Sequence, residues 1–425
     1  MKRTPKYSAI TNFVLHLHPV KIDKRAIAFN RTFGLGGIAA LLITLLFITG
    51  MLLKFVYIPS AGKAYESILM LQNEMLFGRL LRNFHYWSAM LLVIVSFLHL
   101  ARVFYSQSLF RNRKKNWLYG LALMFFVVFS NFTGYLLPWD QLSYWAVTIM
   151  TNMLSYIPVI GGGLANLIRD GDMVNENTLL RFYHFHTGLL PIILIFFMSM
   201  HFWLVRKAGG IALPPKKDSE KTDTHPYLTS KEAVVALALI CALFIFSIFA
   251  DAPLLEKAKP MISPNPSKAP WYFMGFQELL MHVHPVFGSF IIPVGVIIFF
   301  IIIPYMDYPE LNHGVWFHSE KGKEITLYSA VFSAIFTFAF IILNDIVAAE
   351  KSYLLTWHPF ISTGIISTLL YLLPAGGFLL FLKKRKEACK SELIIAAVTI
   401  ILGAYITMML TGSLLRGENM QLIFF

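Results

Sequence analysis

Nine apolar stretches, each long enough to cross a bilayer as a helix, constrain this chain more than any other feature of its sequence. Loops separate them, the two longest being Pro138–Arg181 and Asp251–Pro285, and the first stretch follows a polar, basic segment. The stretches are Phe33–Tyr57, Phe84–Tyr105, Trp117–Leu137, Thr187–Val205, Ala233–Ala250, Phe287–Tyr305, Leu327–Ile346, Phe360–Leu382 and Leu393–Gly412. We therefore predict an all-α membrane protein with about nine transmembrane helices.

The composition agrees with a chain that lies mostly in lipid. Of its 425 residues 57% are hydrophobic and only 14% are charged, whereas a soluble domain carries about 25% charged residues. The net charge of +13 would suit a nucleic-acid partner, but the basic residues cluster in the loops between apolar stretches. Membrane topology explains that clustering, so we expect membrane lipid and no nucleic acid as a partner.

The basic residues also predict the orientation. If the nine stretches alternate in direction, 25 of the 36 Lys and Arg residues fall on the side that holds the amino terminus. Loops rich in Lys and Arg stay in the cytoplasm. The amino terminus is therefore expected to be cytoplasmic and the carboxy terminus to lie outside.

Four histidines lie in two of the stretches. His85 and His99 are 14 residues apart in the second stretch, and His186 and His201 are 15 apart in the fourth. At about 100° per residue each pair returns to within roughly 40–60° of one face, with its members roughly 21–22 Å apart along the axis. Because both stretches run from outside to inside, His85 is level with His186 and His99 with His201.

Two His–His pairs, one above the other, indicate bis-imidazole ligation of two haem irons. A zinc ion would require about four ligands at one level. A proton relay would bring Asp or Glu into these two stretches, and they contain neither. Four separate helix-packing histidines remain the alternative interpretation.

Glycines repeat the histidine spacing in the neighbouring stretches. Gly36 and Gly50 are 14 residues apart in the first stretch, as are Gly120 and Gly134 in the third. A macrocycle packed against a helix needs a missing side chain at the contact, although small residues also serve ordinary helix packing. Arg82, one turn before His85, could pair with a haem propionate or extend its guanidinium to the membrane surface.

Three segments of the front half resemble the amino-terminal haem domain of cytochrome b from bc-type quinol–cytochrome c oxidoreductases. They are Leu81–Val103, Gly134–Thr148 and Arg181–Lys207. The 15-residue spacing of the second histidine pair is similar to that of the chloroplast type. In that type the two halves are separate chains, whereas here they form one chain, as in a fused bacterial form. The resemblance implies that the first four helices form a di-haem four-helix bundle.

The back half resembles the same family more weakly, through Ala269-Pro270-Trp271-Tyr272. The family has Pro-Glu-Trp-Tyr there, and its Glu is assigned as a proton acceptor at the quinol-oxidising site. Proline replaces that Glu here, a departure that resembles menaquinol-using bacterial complexes. Glu278 is our candidate substitute and Asp251 the second, while Glu278 could instead be a solvated loop charge.

The resemblance also implies a division of the chain. Residues 1–210 would form the di-haem domain, 211–231 a cytoplasmic linker, and 232–425 a carboxy-terminal domain with the quinol-site loop and extra helices. It further implies a multi-pass protein of the bacterial cytoplasmic membrane. The complex would be a homodimer, as the family is.

The function implied is bifurcated quinol oxidation at the outer face and quinone reduction at the inner face, catalysed by this subunit through two b haems. Tyr272 and Tyr144 would contact the outer quinol, or belong to an interfacial aromatic belt. Arg206 would contact the inner quinone, or serve membrane topology alone. The partners implied are a Rieske-type iron–sulfur protein, a cytochrome c subunit and quinone, with menaquinone expected. His282, near the outer face, is expected to be a surface residue, and proton release is the alternative interpretation for it.

Two other functions fit parts of the sequence. A di-haem membrane anchor would link a dehydrogenase to the quinone pool without bifurcation. It would not need the Trp271–Tyr272 loop or the segment Gly134–Thr148. A non-redox transporter would bind no haem.

Overall fold

The computed structural model describes residues 18–214, 216, 219–308, 313–349 and 357–424. Within these ranges nine helices are long and apolar enough to cross a membrane, as the sequence predicts. The predicted linker 211–231 lies partly outside the described residues, as does the start of the predicted first domain.

Fourteen α-helices follow one another along the described residues. They are α1 (Leu35–Lys54), α2 (Ala64–Asn73), α3 (Gly78–Tyr105), α4 (Lys114–Tyr135), α5 (Gln141–Leu154), α6 (Gly161–Arg169), α7 (Glu176–His184), α8 (Leu190–Lys207), α9 (Thr229–Phe249), α10 (Trp271–His282), α11 (Ile292–Ile302), α12 (Glu320–Ala349), α13 (Ser367–Arg385) and α14 (Lys390–Leu410). Single π-helical turns precede α8 (Phe185–Leu189), α11 (Phe287–Ile291) and α13 (Phe360–Ile366), and another follows α14 (Thr411–Leu415).

Several spanning helices, α3 among them, extend beyond the apolar stretches at their polar ends. Helix α3 begins at Gly78 rather than Phe84. Its added turn carries Arg79, Arg82 and Asn83, whose side chains hydrogen-bond to residues 247–253. Those bonds satisfy the polar groups, so the helix continues where hydropathy alone predicts an end.

The chain divides into two compact units. The first comprises Met1–Tyr135, Phe182–Leu254 and Asn312–Trp316. Within it α1 packs on α3, α3 on α4, and α4 on α8, while the π turn before α8 returns to α1. These four helices therefore close a bundle, as expected. A short antiparallel pair, β1 (Lys21–Asp23) and β2 (Lys221–Asp223), completes the unit.

The second unit comprises Leu136–Arg181, Leu255–Leu311 and Phe317–Phe425. In it α14 packs against α10, α12 and α13, and α5 packs against α6. Helix α14 is thus central, and it buries a longer run of side chains than the other helices of the unit. The short helix α10 turns Met274, Gly275, Glu278 and His282 inward.

Candidate functional site

The structure brings the four predicted histidines together in two pairs inside the four-helix bundle. The ring centroids of His85 and His186 are 6.3 Å apart, with the ring planes at 77°. Those of His99 and His201 are also 6.3 Å apart, with the planes at 75°. Each pair joins α3 to the α8 side of the bundle, and the two pairs share one geometry.

The separation within each pair fits one metal ion between the rings. Rings with centroids 6.3 Å apart would leave room for one metal ion between them, since a His ligand requires a metal–nitrogen distance of about 2.0–2.1 Å. Among the described residues no group of three or more His, Cys, Asp or Glu could hold a metal. Two axial ligands suit haem iron, whose other four ligands come from the porphyrin.

Hydrogen bonds determine which ring nitrogen of His85 and of His186 can bind a metal. His186 Nδ1 is 2.9 Å from the carbonyl oxygen of Ser130, which can only accept, so Nδ1 carries the proton. The Thr49 hydroxyl donates to the Leu45 carbonyl and lies 2.8 Å from His85 Nδ1, from which it accepts. In both rings Nε2 is left with its lone pair, which is the form a metal requires.

The π turn Phe185–Leu189 explains the unequal histidine spacings. His186 lies in this turn, and a π turn accommodates one extra residue within a helix. The 15-residue interval to His201 therefore behaves as the 14-residue interval in α3 does. In a regular helix, intervals of 14 and 15 residues would rotate the second histidine of each pair by amounts that differ by about 100°. The extra residue in the π turn removes that difference.

The four predicted glycines face the imidazoles. A Cβ at Gly134 would lie 2.6 Å from His186 Cε1, and one at Gly50 would lie 3.3 Å from His85 Cε1. At the other level the corresponding distances are 3.2 Å from Gly36 to His99 and 3.7 Å from Gly120 to His201. Each level thus has one glycine from α1 and one from α4. The contact that excludes a side chain is with the imidazole ring.

The two predicted arginines of the front half lie at opposite ends of the bundle. Arg82 is buried and donates to the carbonyl oxygens of Ala252 (2.8 Å) and Pro253 (2.7 Å). Those bonds tie α3 to the segment after α9. Arg206 is exposed near the end of α8. The proposed roles of both arginines toward haem and quinone stay predictions.

The two predicted tyrosines belong to the second unit and are both buried. The Tyr144 hydroxyl donates to the Val174 carbonyl at 3.0 Å, and burial raises the pKa of Tyr144. Tyr272 lies in the first turn of α10, where its carbonyl oxygen accepts a hydrogen bond from the Tyr405 hydroxyl. The Tyr144 side chain is therefore bonded to the backbone of Val174, whereas the backbone of Tyr272 is bonded to the side chain of Tyr405.

Glu278 is not a solvated loop charge. Its side chain is fully buried, 0% exposed, and paired with Arg416. The Arg416 Nε lies 3.1 Å from both carboxylate oxygens, and His282 Nε2 lies 3.0 Å from Oε1. Burial would raise the pKa of Glu278, but the hydrogen bonds of His282 and Arg416 outweigh it and hold the pKa below its ordinary value. Asp251, the second candidate, is paired with Arg79.

Glu278, His282, Asp345 and Arg416 form one network, here called the Glu278 network, and its members Asp345 and Arg416 were not predicted from the sequence. The expectation of a surface position for His282 is wrong, since its side chain is 1% exposed. Arg416 also binds Asp345, with 2.6 Å between Nη1 and Oδ2. Asp345 lies near the end of the seventh apolar stretch and Arg416 follows the ninth, so no short sequence motif connects the two residues. The spacing Glu278-x-x-x-His282 on a helix was the one available signal.

Comparison with known proteins agrees with the geometry. Residues 23–209 match the family model Cytochrome b/b6/petB. Cytochrome b6 of Synechococcus sp. (strain JA-3-3Ab) is 41% identical over 180 residues, which are 42% of this chain and 84% of that protein. Cytochrome b6 of Prochlorococcus marinus (strain NATL1A) is 40% identical over 180 residues, 42% of this chain and 83% of that protein.

A solved structure extends the likeness over nearly the whole chain. A chain of the "Hyperthermophilic respiratory Complex III" has a TM-score of 0.66 and 22% identity, covering 95% of this chain and 97% of that one. At that identity the likeness is one of fold. It includes most of the back half, which the family model does not reach.

The fold and the paired histidines define a multi-pass, all-helical membrane protein of the haem-binding bundle class. The chain belongs to the cytochrome b/b6 family. As a member it binds haem b and transfers electrons across a membrane, as part of a quinol-oxidising oxidoreductase complex.

Proposed function

We propose that this chain is the catalytic cytochrome b subunit of a quinol–cytochrome c oxidoreductase that bifurcates the electrons of quinol. The observation that carries the two-haem electron path is the repeated 6.3 Å separation within two histidine pairs. The Trp271–Tyr272 loop and the segment Gly134–Thr148 favour bifurcation over a membrane anchor. Members of the two pairs stand about 21 Å apart along α3, which is most of a hydrocarbon core of about 30 Å. Two redox centres at these levels would connect the two faces of the membrane.

His85 with His186, and His99 with His201, are the proposed axial ligands of two b haems. Gly36, Gly50, Gly120 and Gly134 leave room for the rings, and Arg82 is the proposed partner of a propionate. One electron of each quinol is proposed to leave for a Rieske-type iron–sulfur protein, and the haems, when bound, supply the path across the membrane for the other.

The outer quinol site is proposed to lie in the second unit. Tyr144 and Tyr272 are its proposed walls, and the Glu278 network is its proposed proton acceptor in place of the missing family Glu. Burial of both tyrosines supports fixed positions for their rings. Because the hydroxyl of Tyr144 is already bonded to Val174, we propose that this ring contributes shape rather than a hydrogen bond to quinol.

The inner site is proposed to reduce quinone near the end of α8. Arg206 is exposed there, where it could bind an anionic form of the quinone. The proposed quinone is menaquinone, and the proposed membrane is the bacterial cytoplasmic membrane with the amino terminus inside. A cytochrome c subunit would receive electrons from the iron–sulfur protein, and two copies of the complex would form a homodimer.

An oxidant pulse tests bifurcation. Membranes containing the complex receive menadiol (reduced 2-methyl-1,4-naphthoquinone) with the inner site blocked by a quinone-analogue inhibitor, and an oxidant is then added. We expect the haem b absorbance to show further reduction. The oxidised iron–sulfur protein accepts the first electron of the quinol, and the second electron can then pass only to the haems of this subunit. Haem b that stays unchanged or becomes oxidised would identify a non-bifurcating anchor. A colourless purified chain would identify a protein without haem.

A further inference from the structure

Four charged or titratable side chains of the second unit meet at one point. Glu278 and His282 lie on α10, Asp345 on α12, and Arg416 just after the π turn that follows α14. Among the described residues these are the groups that the structure places around His282, together with the ring of Phe340 at 6.2 Å. Buried ionisable groups in a membrane protein are costly to maintain, and they commonly mark a pathway for ions or protons.

His282 Nε2 lies between a group that accepts and a group that donates. Glu278 Oε1 is 3.0 Å away and can only accept, while Arg416 Nη2 is 3.3 Å away and can only donate. A protonated Nε2 bonds the carboxylate, and an unprotonated Nε2 bonds the guanidinium. The geometry therefore satisfies Nε2 in both protonation states.

The other ring nitrogen of His282 faces the partly exposed carboxylate of Asp345. His282 Nδ1 is 3.9 Å from Asp345 Oδ1. The Asp345 side chain is 23% exposed, whereas those of Glu278, His282 and Arg416 are at most 1% exposed. Asp345 is thus the one member of the network that reaches the surface of this unit.

The net charge of the four side chains depends on the protonation state of His282. With a neutral imidazole, two carboxylates and one guanidinium sum to one negative charge. A protonated imidazole brings the sum to zero, and both of its N–H groups then face carboxylates.

We propose that His282 is the proton-relay residue of quinol oxidation, taking up one proton on the Glu278 side and passing it to Asp345. This inference rests on the proposed function. Glu278 orients the imidazole, Arg416 holds Glu278 and Asp345 in place, and Asp345 hands the proton to water.

The step balances without a further reactant. One O–H bond of the quinol breaks, its electron pair stays on the oxygen, and an N–H bond forms at His282. The imidazolium then loses its Nδ1 proton through Asp345, which leaves the neutral ring protonated at Nε2, and a 180° rotation of the ring would restore the starting form. The electrons leave by the two routes of the proposed function, so the relay itself carries only a proton.

The pH dependence of quinol oxidation tests the relay. In the purified complex, haem b reduction by menadiol is followed between pH 5 and 9, in water and in deuterium oxide. The wild-type rate should rise with pH, because a protonated His282 cannot take up another proton. His282→Asn should be at least tenfold slower at neutral pH, with the acid limb and the solvent isotope effect lost. Asp345→Asn should slow the reaction about threefold.

His284→Asn is the matched control, since His284 lies two residues on, packs against Phe360 and has no place in the network. It should keep the wild-type rate and profile. Dithionite-reduced spectra check that each variant retains its haem. If His282→Asn does not assemble, the profile of Asp345→Asn decides instead. Wild-type pH profiles in the assembled variants would overturn the relay, while absence of the oxidant-pulse response in wild type would overturn the proposed function itself.

Discussion

Glu278 and Arg416 lie 138 residues apart in the sequence, yet they form a buried ion pair in which neither side chain is more than 1% exposed. The pair joins α10 to the end of the last spanning helix. Asp345 extends it to α12 through the same guanidinium. These ion pairs therefore connect α10, α12 and the end of α14, close to the segment proposed to bind quinol.

Removal of Arg416 should destabilise the second unit strongly. Arg416→Ala leaves Glu278 buried without its cation, which costs about 3–5 kcal/mol. Arg79→Ala is the matched control, because its pair with Asp251 is 61% and 48% exposed and such pairs contribute at most about 1 kcal/mol. SDS titration of the detergent-solubilised complex would measure both. Equal losses in the two variants would contradict the buried character of the Glu278 pair.

Glu278 should also make stability depend on pH in the acid range. Its folded-state pKa lies below the ordinary glutamate value. Its stabilisation is therefore fully present above that ordinary value and is lost as the pH falls through the folded-state pKa. The difference in unfolding free energy between wild type and Glu278→Gln should be largest near neutral pH and shrink in acid. A difference that grows on acidification would reverse this assignment.

Much of the fold could be predicted because its signals are local. An apolar run of about 20 residues reports a spanning helix wherever it occurs, and histidines 14 residues apart report one helix face. The pairing of His85 with His186 and of His99 with His201 then followed from the alternating direction of the helices. The glycines at matching spacing followed from the same periodicity.

The Glu278 network could not be found in this way. Arg416 and Asp345 come from helices far apart in the sequence, and only tertiary packing brings them to Glu278. Helix ends also escaped prediction where tertiary hydrogen bonds extend them, as at Gly78 in α3. The π turn at His186 has no sequence signal that we recognised, although it sets the level and direction of that ring.

The hydroxyl of Thr49 should tune the outer haem. It accepts from His85 Nδ1 at 2.8 Å, and such a bond makes the ligating nitrogen more electron-rich. Thr49→Val should raise the midpoint potential of that haem by about 40 mV, the one-electron equivalent of a hydrogen bond worth about 1 kcal/mol. Thr44→Val is the control, because that exposed hydroxyl bonds only its own helix, at the Ala40 carbonyl. Redox titrations that show equal potentials for both variants would contradict the assignment.

The glycine nearest an imidazole should be the least replaceable. A Cβ at Gly134 would lie 2.6 Å from His186, closer than carbon atoms can approach, whereas one at Gly120 would lie 3.7 Å from His201, an ordinary contact. Gly134→Ala should therefore displace the His186 ring and lower the haem content toward one per chain. Gly120→Ala should keep both haems. The pyridine haemochrome assay separates the two results, and full haem content in Gly134→Ala would contradict the contact.

His99→Ala should remove one haem and leave the other. The proposed haem site of His99 and His201 loses one of its two proposed ligands, while His85 and His186, about 21 Å away along the helix axis, keep their geometry. The pyridine haemochrome assay should report one haem per chain, and the remaining haem should still be reduced by menadiol, because the outer pair lies on the side proposed to oxidise quinol. His184→Ala is the control, since His184 is exposed on α7 and belongs to neither pair; it should retain two haems. Two haems in His99→Ala would show that His99 is not a ligand, and loss of both would show that the two levels do not bind independently.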